Sequence, residues 1–256
     1  GKPFMSNKPS PTLPNGVHAN WNFNVSHEGK FVALASEPRM VCGIDVAAPE
    51  EARAGAKKRG IDDTLSMMKQ QLSDAEWRTI HKESDSQKRE DVFRKFWSLK
   101  EAYTKGRGDG LGFEFNRCDF KLSDSMIEGT SKQPVQKAAL AVDGKALPSW
   151  GFYIQVAREQ HAAARTAPLH SHHNHLSSLS MRAQSLEADH WISSARGPPS
   201  DVVDAHGNFR NTLADVPTNV VGEQLAFAEP PFVYKTLADL VSDEMKAEYA
   251  KVKGLE

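Results

Sequence analysis

The stretch from Phe96 to Lys105 carries the residue types best suited to chemistry. On a helix, Trp97, Glu101 and Lys105 lie on one line at positions i, i+4 and i+8. A carboxylate beside an ammonium group is suited to a metal ion beside a phosphate. The same two side chains also fit an ordinary helical Glu–Lys contact worth about 0.2–0.5 kcal/mol, so this stretch alone leaves both interpretations open.

Asp45 supplies a second carboxylate. It lies near the end of the apolar run 40–46, so we expect it at a strand end, although a helix cap or a turn would also use an aspartate there. Together with Glu101, Lys100 and Lys105, it has the composition of a magnesium–diphosphate site. Magnesium takes one or two carboxylates plus substrate phosphates, and lysines neutralise the phosphate charge that remains.

Ser26 and His27 form a third candidate element, next to Glu28 near the tip of a predicted hairpin. A hydroxyl and an imidazole at a strand end are suited to hydrogen-bonding a phosphate group. A solitary histidine is more often structural than functional, so this element needs the other two beside it.

The elements that must position these residues begin with a hairpin. Two β-like runs, Trp21–Ser26 and Phe31–Ser36, flank a turn in which Gly29 takes the position that needs a positive φ. The third run, Met40–Val46, completes a small antiparallel sheet in this prediction.

Helices follow. Asp62 and Asp63 are expected to cap a helix, and Ser73 with Glu76 fits a capping box that opens another. The charged stretch Lys82–Asp91 is interpreted as a solvated loop.

A long helix over Asp91–Lys105 comes next, ended by the glycines at 106, 108, 110 and 112. Its apolar stripe is expected to face the sheet, which makes the fold class α+β. The stripe consists of Phe93, Phe96, Leu99 and Tyr103. Further strands are predicted at Phe113–Leu122, Ala138–Val142, Trp150–Ala157 and His190–Ser194.

Composition excludes several functional classes. The 256 residues contain 32 Lys+Arg against 33 Asp+Glu, a net charge of −1, which argues against a broad nucleic-acid or membrane footprint. Cys42 and Cys118 cannot form a disulfide framework, so we expect a reducing compartment, the cytosol. No stretch approaches the ~18 consecutive apolar residues of a membrane span, and no signal peptide is recognisable at the N-terminus.

The chain divides into four parts in this prediction. Residues 1–156 form the catalytic domain, 157–187 an inserted His/Ser/Ala-rich loop, 188–212 a strand returning to the domain, and 213–256 a tail with a helix near Leu237–Tyr249. The alternative of a transition-metal site over His161–His175 is disfavoured because these histidines lack regular ligand spacing.

Three segments in this order resemble the 4′-phosphopantetheinyl transferases: Asn22–His27, Gly43–Asp45 and Phe96–Lys105. Because the Ser-His segment precedes the Gly-Ile-Asp segment, the resemblance is to the pseudo-dimeric class, and within it to the eukaryotic type related to aminoadipate-semialdehyde dehydrogenase-phosphopantetheinyl transferase. Gly110–Glu114 resembles the segment after that family's catalytic helix, and Gly1-Lys2-Pro3 its coenzyme-A-contacting Gly-Lys-Pro.

The resemblance implies an activity and a set of site residues. The family transfers phosphopantetheine from coenzyme A to a serine of an apo acyl or peptidyl carrier protein, as in holo-acyl-carrier-protein synthase, with Mg²⁺ as cofactor. Glu101 and Lys105 would be catalytic, and Asp45 and Glu101 would hold the metal. The implied coenzyme A contacts are Gly1, Lys2, Pro3, Asn24, Val25, Ser26, His27, Asp45, Lys100, Glu101 and Lys105, with His27 near the 3′-phosphate.

Two departures from the family pattern generate further hypotheses. Ala47 stands where some members place a second acid, so we hypothesise that Glu28 reaches the metal instead.

The chain also begins near the start of the family's second half, which favours an N-terminally incomplete sequence over a short protein that dimerises. A catalytically incomplete coenzyme A- or protein-binding module is the alternative function. Apolar surface normally covered by the first half predicts self-association.

Overall fold

A computed structural model of the chain describes residues 2–4, 20–49, 60–128, 135–157, 190–204, 207–235, 237–240, 242–245 and 247–248. The predicted insertion 157–187 and the histidines 161–175 lie almost wholly outside these residues. The strands are β1 (Asn22–Glu28), β2 (Phe31–Glu37), β3 (Val41–Ala47), β4 (Cys118–Lys121), β5 (Val135–Val142), β6 (Lys145–Ala146), β7 (Gly151–Ala157) and β8 (His190–Gly197). The α-helices are α1 (Ile61–Met67), α2 (Asp74–Lys82), α3 (Ser86–Arg107), α4 (Asp124–Ile127), α5 (Thr218–Ala226) and α6 (Leu237–Leu240).

The α+β prediction is confirmed. Within the described residues, six strands form one antiparallel sheet in the order β3-β8-β7-β5-β4, with β6 paired to β5, while β1 and β2 form a separate hairpin. The hairpin follows its prediction closely: β1 and β2 pair from Asn22↔Glu37 to Glu28↔Phe31, and Gly29 has φ +59°. None of the described helices has the length and apolar character to cross a bilayer.

The predicted three-stranded sheet is wrong in one respect: β3 pairs with β8, and β1 meets β3 through side chains. The oxygens of Asn22, Asn24, Ser26 and Glu28 accept the backbone N–H groups of residues 42, 44, 46 and 48, at 3.1, 2.8, 3.2 and 2.6 Å. These four side chains are the polar ladder. They share one face of β1 because side chains alternate along a strand, and they satisfy donors that the edge strand β3 would otherwise leave unpaired.

The helix boundaries confirm some predictions and correct others. The capping box at Ser73 and Glu76 is present. Asp62 and Asp63 lie inside the first turn of α1, whose N-cap is Gly60. The predicted loop Lys82–Asp91 is wrong over its second half, because Asp85 accepts the Lys88 N–H at 2.9 Å and starts α3 at Ser86.

The long helix α3 lies across the sheet with its predicted apolar stripe buried in the main core. Its distance from β3 is set at Gly43, where a Cβ atom would lie 1.9 Å from the Ala102 carbonyl oxygen and 2.4 Å from the Gly106 nitrogen. Only a residue without a side chain allows this approach. The helix ends at Gly108, which has φ +76°.

The predicted strand Phe113–Leu122 is shorter in the structure. A 3₁₀ turn, Phe115–Arg117, precedes β4, which begins only at Cys118. Residues 230–232 of the tail lie on the opposite face of the sheet from α3. There the Gln155 side chain bonds to the Pro230 carbonyl at 3.3 Å and to the Phe232 N–H at 3.0 Å. The helix α6 begins where the terminal helix is predicted.

Candidate active site

A cavity of about 550 Å³ lies between the C-terminal half of α3, the strand β1 and the loop after α3. Its lining includes six of the residues predicted for the site: Lys2, Pro3, Asn24, Val25, Glu101 and Lys105. The cavity is large enough for part of a nucleotide-sized ligand. Glu101 and Lys105 lie on the same side of α3, as the helical spacing predicts.

Asp45 belongs to a tight polar cluster with Lys105, which lines the cavity. The Lys105 Nζ is 2.5 Å from the Asp45 Oδ1 and donates to the Ser26 Oγ at 3.1 Å. Ser26 in turn donates to the Asp45 Oδ1 at 3.0 Å, and accepts from the Val46 N–H. Ser26, predicted to contact coenzyme A, thus holds Asp45 and Lys105 in place.

The charge of Glu101 affects the carboxyl group of Asp45. Burial raises the pKa of Asp45 to about 7; Lys105 opposes this shift and the nearby Glu101 adds to it. Burial also raises the pKa of Glu101, again against Lys105. The strand-borne aspartate and the helix-borne glutamate therefore share one electrostatic environment, in which two negative charges are costly without a cation.

This donor set fits a magnesium ion. Two carboxylates with a lysine beside them leave coordination positions for water and for substrate phosphates, which is how Mg²⁺ is usually held. Among the described residues, no group of three His, Cys, Asp or Glu side chains is arranged to hold a metal. Asp45 and Glu101 are the two carboxylates that could hold such an ion.

Glu28 does not join this pair. Its Oε2 accepts the Ala48 N–H at 2.6 Å as the last member of the polar ladder. It faces the same side of β1 as Ser26 but lies two residues further along, opposite Ala48 rather than Asp45. The hypothesis that Glu28 serves as a metal ligand gains no support from this position.

Lys100 is placed differently from its prediction. Its side chain has no exposed surface, and its Nζ lies 2.7 Å from the Glu76 Oε2 and from the Phe115 carbonyl oxygen, and 2.8 Å from that of Cys118. An ammonium group has three donors, and these three acceptors use all of them. The expected phosphate contact is therefore corrected: Lys100 lies on the core side of α3.

The N-terminal segment also departs from expectation. The Lys2 side chain is buried, donates to the carbonyls of Cys42 and Gly106, and lies 4.9 Å from the centre of the Phe209 ring. It therefore places a cation at the C-terminal end of α3, where carbonyl groups lack helical partners. Burial lowers its pKa to about 8. Pro3 lines the cavity, and Gly1 lies outside the described residues.

Two more predicted contacts lie on the hairpin. Val25 lines the cavity. His27 is exposed, and like Val25 it lies on the face of β1 opposite the polar ladder, because side chains alternate along a strand. Asn24 is buried beside the cavity, and its Oδ1 accepts the Ile44 N–H.

The sequence predictions missed an aromatic wall of the cavity, formed by Trp97, Phe113 and Phe115. The rings of Trp97 and Phe115 lie 5.4 Å apart, and Phe113 packs edge-on against Tyr103 at 5.9 Å. The position of Trp97 one helical turn before Glu101 indicated that its ring could line the same site. Nothing in the sequence showed that the loop after α3 folds back toward it.

Comparisons with known proteins identify what the chain is similar to. Residues 41–146 match the model of the 4′-phosphopantetheinyl transferase superfamily. The chain is 33% identical over 164 residues to the L-aminoadipate-semialdehyde dehydrogenase-phosphopantetheinyl transferase of Homo sapiens, covering 64% of this chain and 50% of that protein. The Rattus norvegicus protein of the same name is 33% identical over 180 residues, 69% and 54% of the two chains. A 4′-phosphopantetheinyl transferase of Bacillus subtilis is 27% identical over 124 residues, which cover 48% of this chain and 45% of that protein. The chain spans about half the length of the curated relatives it matches.

Proposed function

Residues 41–146 belong to the 4′-phosphopantetheinyl transferase superfamily, and on that premise we propose that the chain transfers 4′-phosphopantetheine from coenzyme A to a serine of an apo carrier protein. Adenosine 3′,5′-bisphosphate is the second product. The observation that supports this proposal is that Glu101 and Lys105 line one cavity, where Lys105 also pairs with the buried carboxylate of Asp45.

The reaction exchanges one phosphorus–oxygen bond for another. The acceptor serine oxygen bonds to the phosphorus that carries pantetheine, and the bond from that phosphorus to the bridging oxygen breaks. The bridging oxygen leaves on adenosine 3′,5′-bisphosphate. Such transfers depend mainly on positioning and on neutralising charge at the phosphoryl oxygens.

Glu101 is our candidate for the group that takes the serine proton, directly or through water. It faces the cavity and is partly buried, and burial raises its pKa toward the range in which a carboxylate is an effective base. Lys105 lies beside it and would place a positive charge near the phosphates. Asp45 is kept in position by Lys105 and Ser26.

A magnesium ion would be held by Asp45 and Glu101. When bound, it would supply positive charge to the diphosphate of coenzyme A. Lys105 pairs with Asp45 in the protein alone, and its partly exposed ammonium group at the cavity could also neutralise phosphate charge.

The finer identity of the acceptor is also part of the proposal. We favour an acyl or peptidyl carrier domain, as for a holo-acyl-carrier-protein synthase, in the cytosol. Both cysteines are free and buried, which suits a reducing compartment. Because the similar mammalian proteins are named for L-aminoadipate-semialdehyde dehydrogenase, the carrier domain of such an enzyme of lysine metabolism is the first acceptor to test.

The test is transfer by the full chain from coenzyme A, with Mg²⁺, to an apo carrier protein, followed by mass spectrometry. We expect the carrier to gain one phosphopantetheine, and a carrier whose acceptor serine is alanine to gain none. Glu101→Gln should lower kcat on the order of a thousandfold, within the range for loss of a general base. A wild-type chain that binds coenzyme A but modifies no carrier would contradict the proposal and support a binding module.

A further inference from the structure

Lys100 and Glu76 form a buried ion pair that reaches the wall of the cavity from behind. Glu76 is 1% exposed and Lys100 not at all, and their charged groups are 2.7 Å apart. Glu76 also accepts the Ser73 N–H and the Phe120 N–H, each at 2.9 Å. The pair therefore joins the start of α2, the middle of α3 and the strand β4.

The lysine of this pair holds both ends of a short segment. Its bonds go to the carbonyls of Phe115 and Cys118, the first residue of the 3₁₀ turn and the first residue of β4. Phe115 is itself part of the aromatic wall and contacts Trp97. Fixing these two carbonyls fixes the backbone that presents the ring of Phe115 to the cavity.

The cavity is lined by two kinds of side chain. Glu101 and Lys105 are charged, whereas the aromatic wall is apolar. A charged diphosphate suits the charged side chains. An uncharged organic portion of the same ligand gains most by lying against the aromatic wall, because aromatic rings offer large apolar surfaces.

We infer that Lys100 and Glu76 are a positioning pair for ligand binding: they fix the aromatic wall for the uncharged part of the cosubstrate, and Lys100 contacts no phosphate. The choice of coenzyme A as that cosubstrate rests on the proposed function. The fixed wall does not, because the contacts that hold it are present in the protein alone.

Lys100→Met tests this inference, with Lys95→Met as the matched control. Lys95 is also on α3 and 1% exposed, and its Nζ pairs with Asp91 at 2.7 Å and with the Met126 carbonyl at 2.6 Å, but it does not line the cavity. Each variant is titrated by calorimetry with coenzyme A and, separately, with inorganic pyrophosphate, both with Mg²⁺. The second ligand has phosphates and no organic portion.

We expect Lys100→Met to weaken coenzyme A binding about tenfold or more, since small displacements of a binding surface are costly, and to change pyrophosphate binding less than twofold. Lys95→Met should change neither. Equal losses for both ligands in Lys100→Met would show a phosphate contact and overturn the inference. Unchanged coenzyme A binding would overturn it as well.

Hydrogen exchange separates this inference from the proposed function, because it needs no ligand. Lys100→Met should speed amide exchange over residues 115–120 at least tenfold relative to Lys95→Met. Equal exchange rates in the two variants would show that Lys100 does not hold the aromatic wall in place. If Lys100→Met does not fold, Glu76→Gln, which keeps the side-chain shape, should give the same pattern to a smaller degree. A wild-type chain without transfer activity would contradict the proposed function, but it would not affect the interpretation of the hydrogen-exchange result.

Discussion

The two sides of α3 carry lysines that look alike in the sequence and differ in the structure. The side chain of Lys100 has no exposed surface and is bonded into the core, whereas that of Lys105 is 31% exposed and reaches Asp45 at the cavity. Both were predicted to contact phosphate. A lysine near a motif glutamate therefore acquires its role from the direction in which the helix points it.

The helical repeat separates the two lysines. Lys100 follows Phe96 by four residues and precedes Tyr103 by three, so it shares the buried stripe, while Lys105 continues the line of Trp97 and Glu101. A buried pair such as Lys100–Glu76 is costly to break, because removing one partner leaves an uncompensated buried charge. A partly exposed pair such as Lys105–Asp45 can exchange partners and is suited to a ligand.

Gly43→Ala should have the largest effect, because it disturbs the contact on which both sides of α3 depend. The new Cβ would meet backbone atoms of Ala102 and Gly106 that cannot turn aside. We expect the helix to shift, with a loss of about 3 kcal/mol in the free energy of unfolding and transfer reduced about a hundredfold or more. Chemical denaturation and the carrier assay measure these changes.

Gly60→Ala is the control for that prediction, since nothing lies within 4 Å of a Cβ atom there. The account requires Gly60→Ala to behave as the wild type. Equal behaviour of the two variants would show that the close approach of α3 to β3 does not matter.

Lys105→Met should sharpen the difference between the two sides. We expect kcat to fall about a hundredfold, as when one stabilising charge is removed from a transition state. The loss in the free energy of unfolding should be smaller than for Lys100→Met, because the buried Asp45 carboxyl keeps its bond from Ser26 and its raised pKa lets it take up a proton. Lys100→Met should lower the free energy of unfolding more than Lys105→Met does, and lower kcat less. Similar losses in the free energy of unfolding for both variants would contradict the different roles of Lys100 and Lys105.

Asp45→Asn should stabilise the metal-free protein at pH 8 while lowering activity. The pKa of Asp45 is raised from 3.8 to about 7, so its ionisation in the folded state costs stability. The contribution of the wild-type group is fully present below pH 3.8 and is lost as pH rises through about 7. We expect a gain of at most about 4 kcal/mol for the variant at pH 8, since each unit of the raised pKa corresponds to about 1.4 kcal/mol.

Thermal unfolding at several pH values tests this sign. The advantage of Asp45→Asn should shrink as pH falls from 8 through 7 toward 4. An advantage that grows on acidification would mean that Asp45 is stabilised as the anion in the folded state.

The smallest effect concerns the outer face of the hairpin, opposite the polar ladder. Val32 and Leu34 are 75% and 61% exposed there. Replacing both by threonine should reduce self-association in light scattering and change the free energy of unfolding by less than about 0.5 kcal/mol. Self-association that persists unchanged would show that the outer face of the hairpin is not the surface through which the chains associate.

Local chemistry in the sequence predicted much of the fold. The positive φ at Gly29 and the capping box at Ser73 depend on neighbouring residues alone, so they were foreseeable. The start of α3 was missed because a charged stretch resembles a loop, although Asp85 is a good N-cap.

The polar ladder shows what local patterns leave out. The alternation in β1 reveals two faces, one with Asn22, Asn24 and Ser26 and one with Phe23 and Val25, but not which face turns inward. The polar face turns inward because β3 is an edge strand with N–H groups to satisfy, a fact that depends on the distant strand β8. For the site, the helical spacing predicted that Glu101 and Lys105 share one side of α3, whereas the contact between Lys105 and Asp45 could be seen only in the structure.

The most direct test of the account is divalent-ion binding. Mn²⁺, a stand-in for Mg²⁺ that is visible by electron paramagnetic resonance, would be titrated into the chain with coenzyme A present. The account predicts one site whose Kd rises at least about tenfold in Asp45→Asn and in Glu101→Gln and is unchanged in Glu28→Gln, whose carboxylate serves the polar ladder. Unaltered Mn²⁺ binding in Asp45→Asn and Glu101→Gln would contradict the meeting of the two carboxylates at one ion.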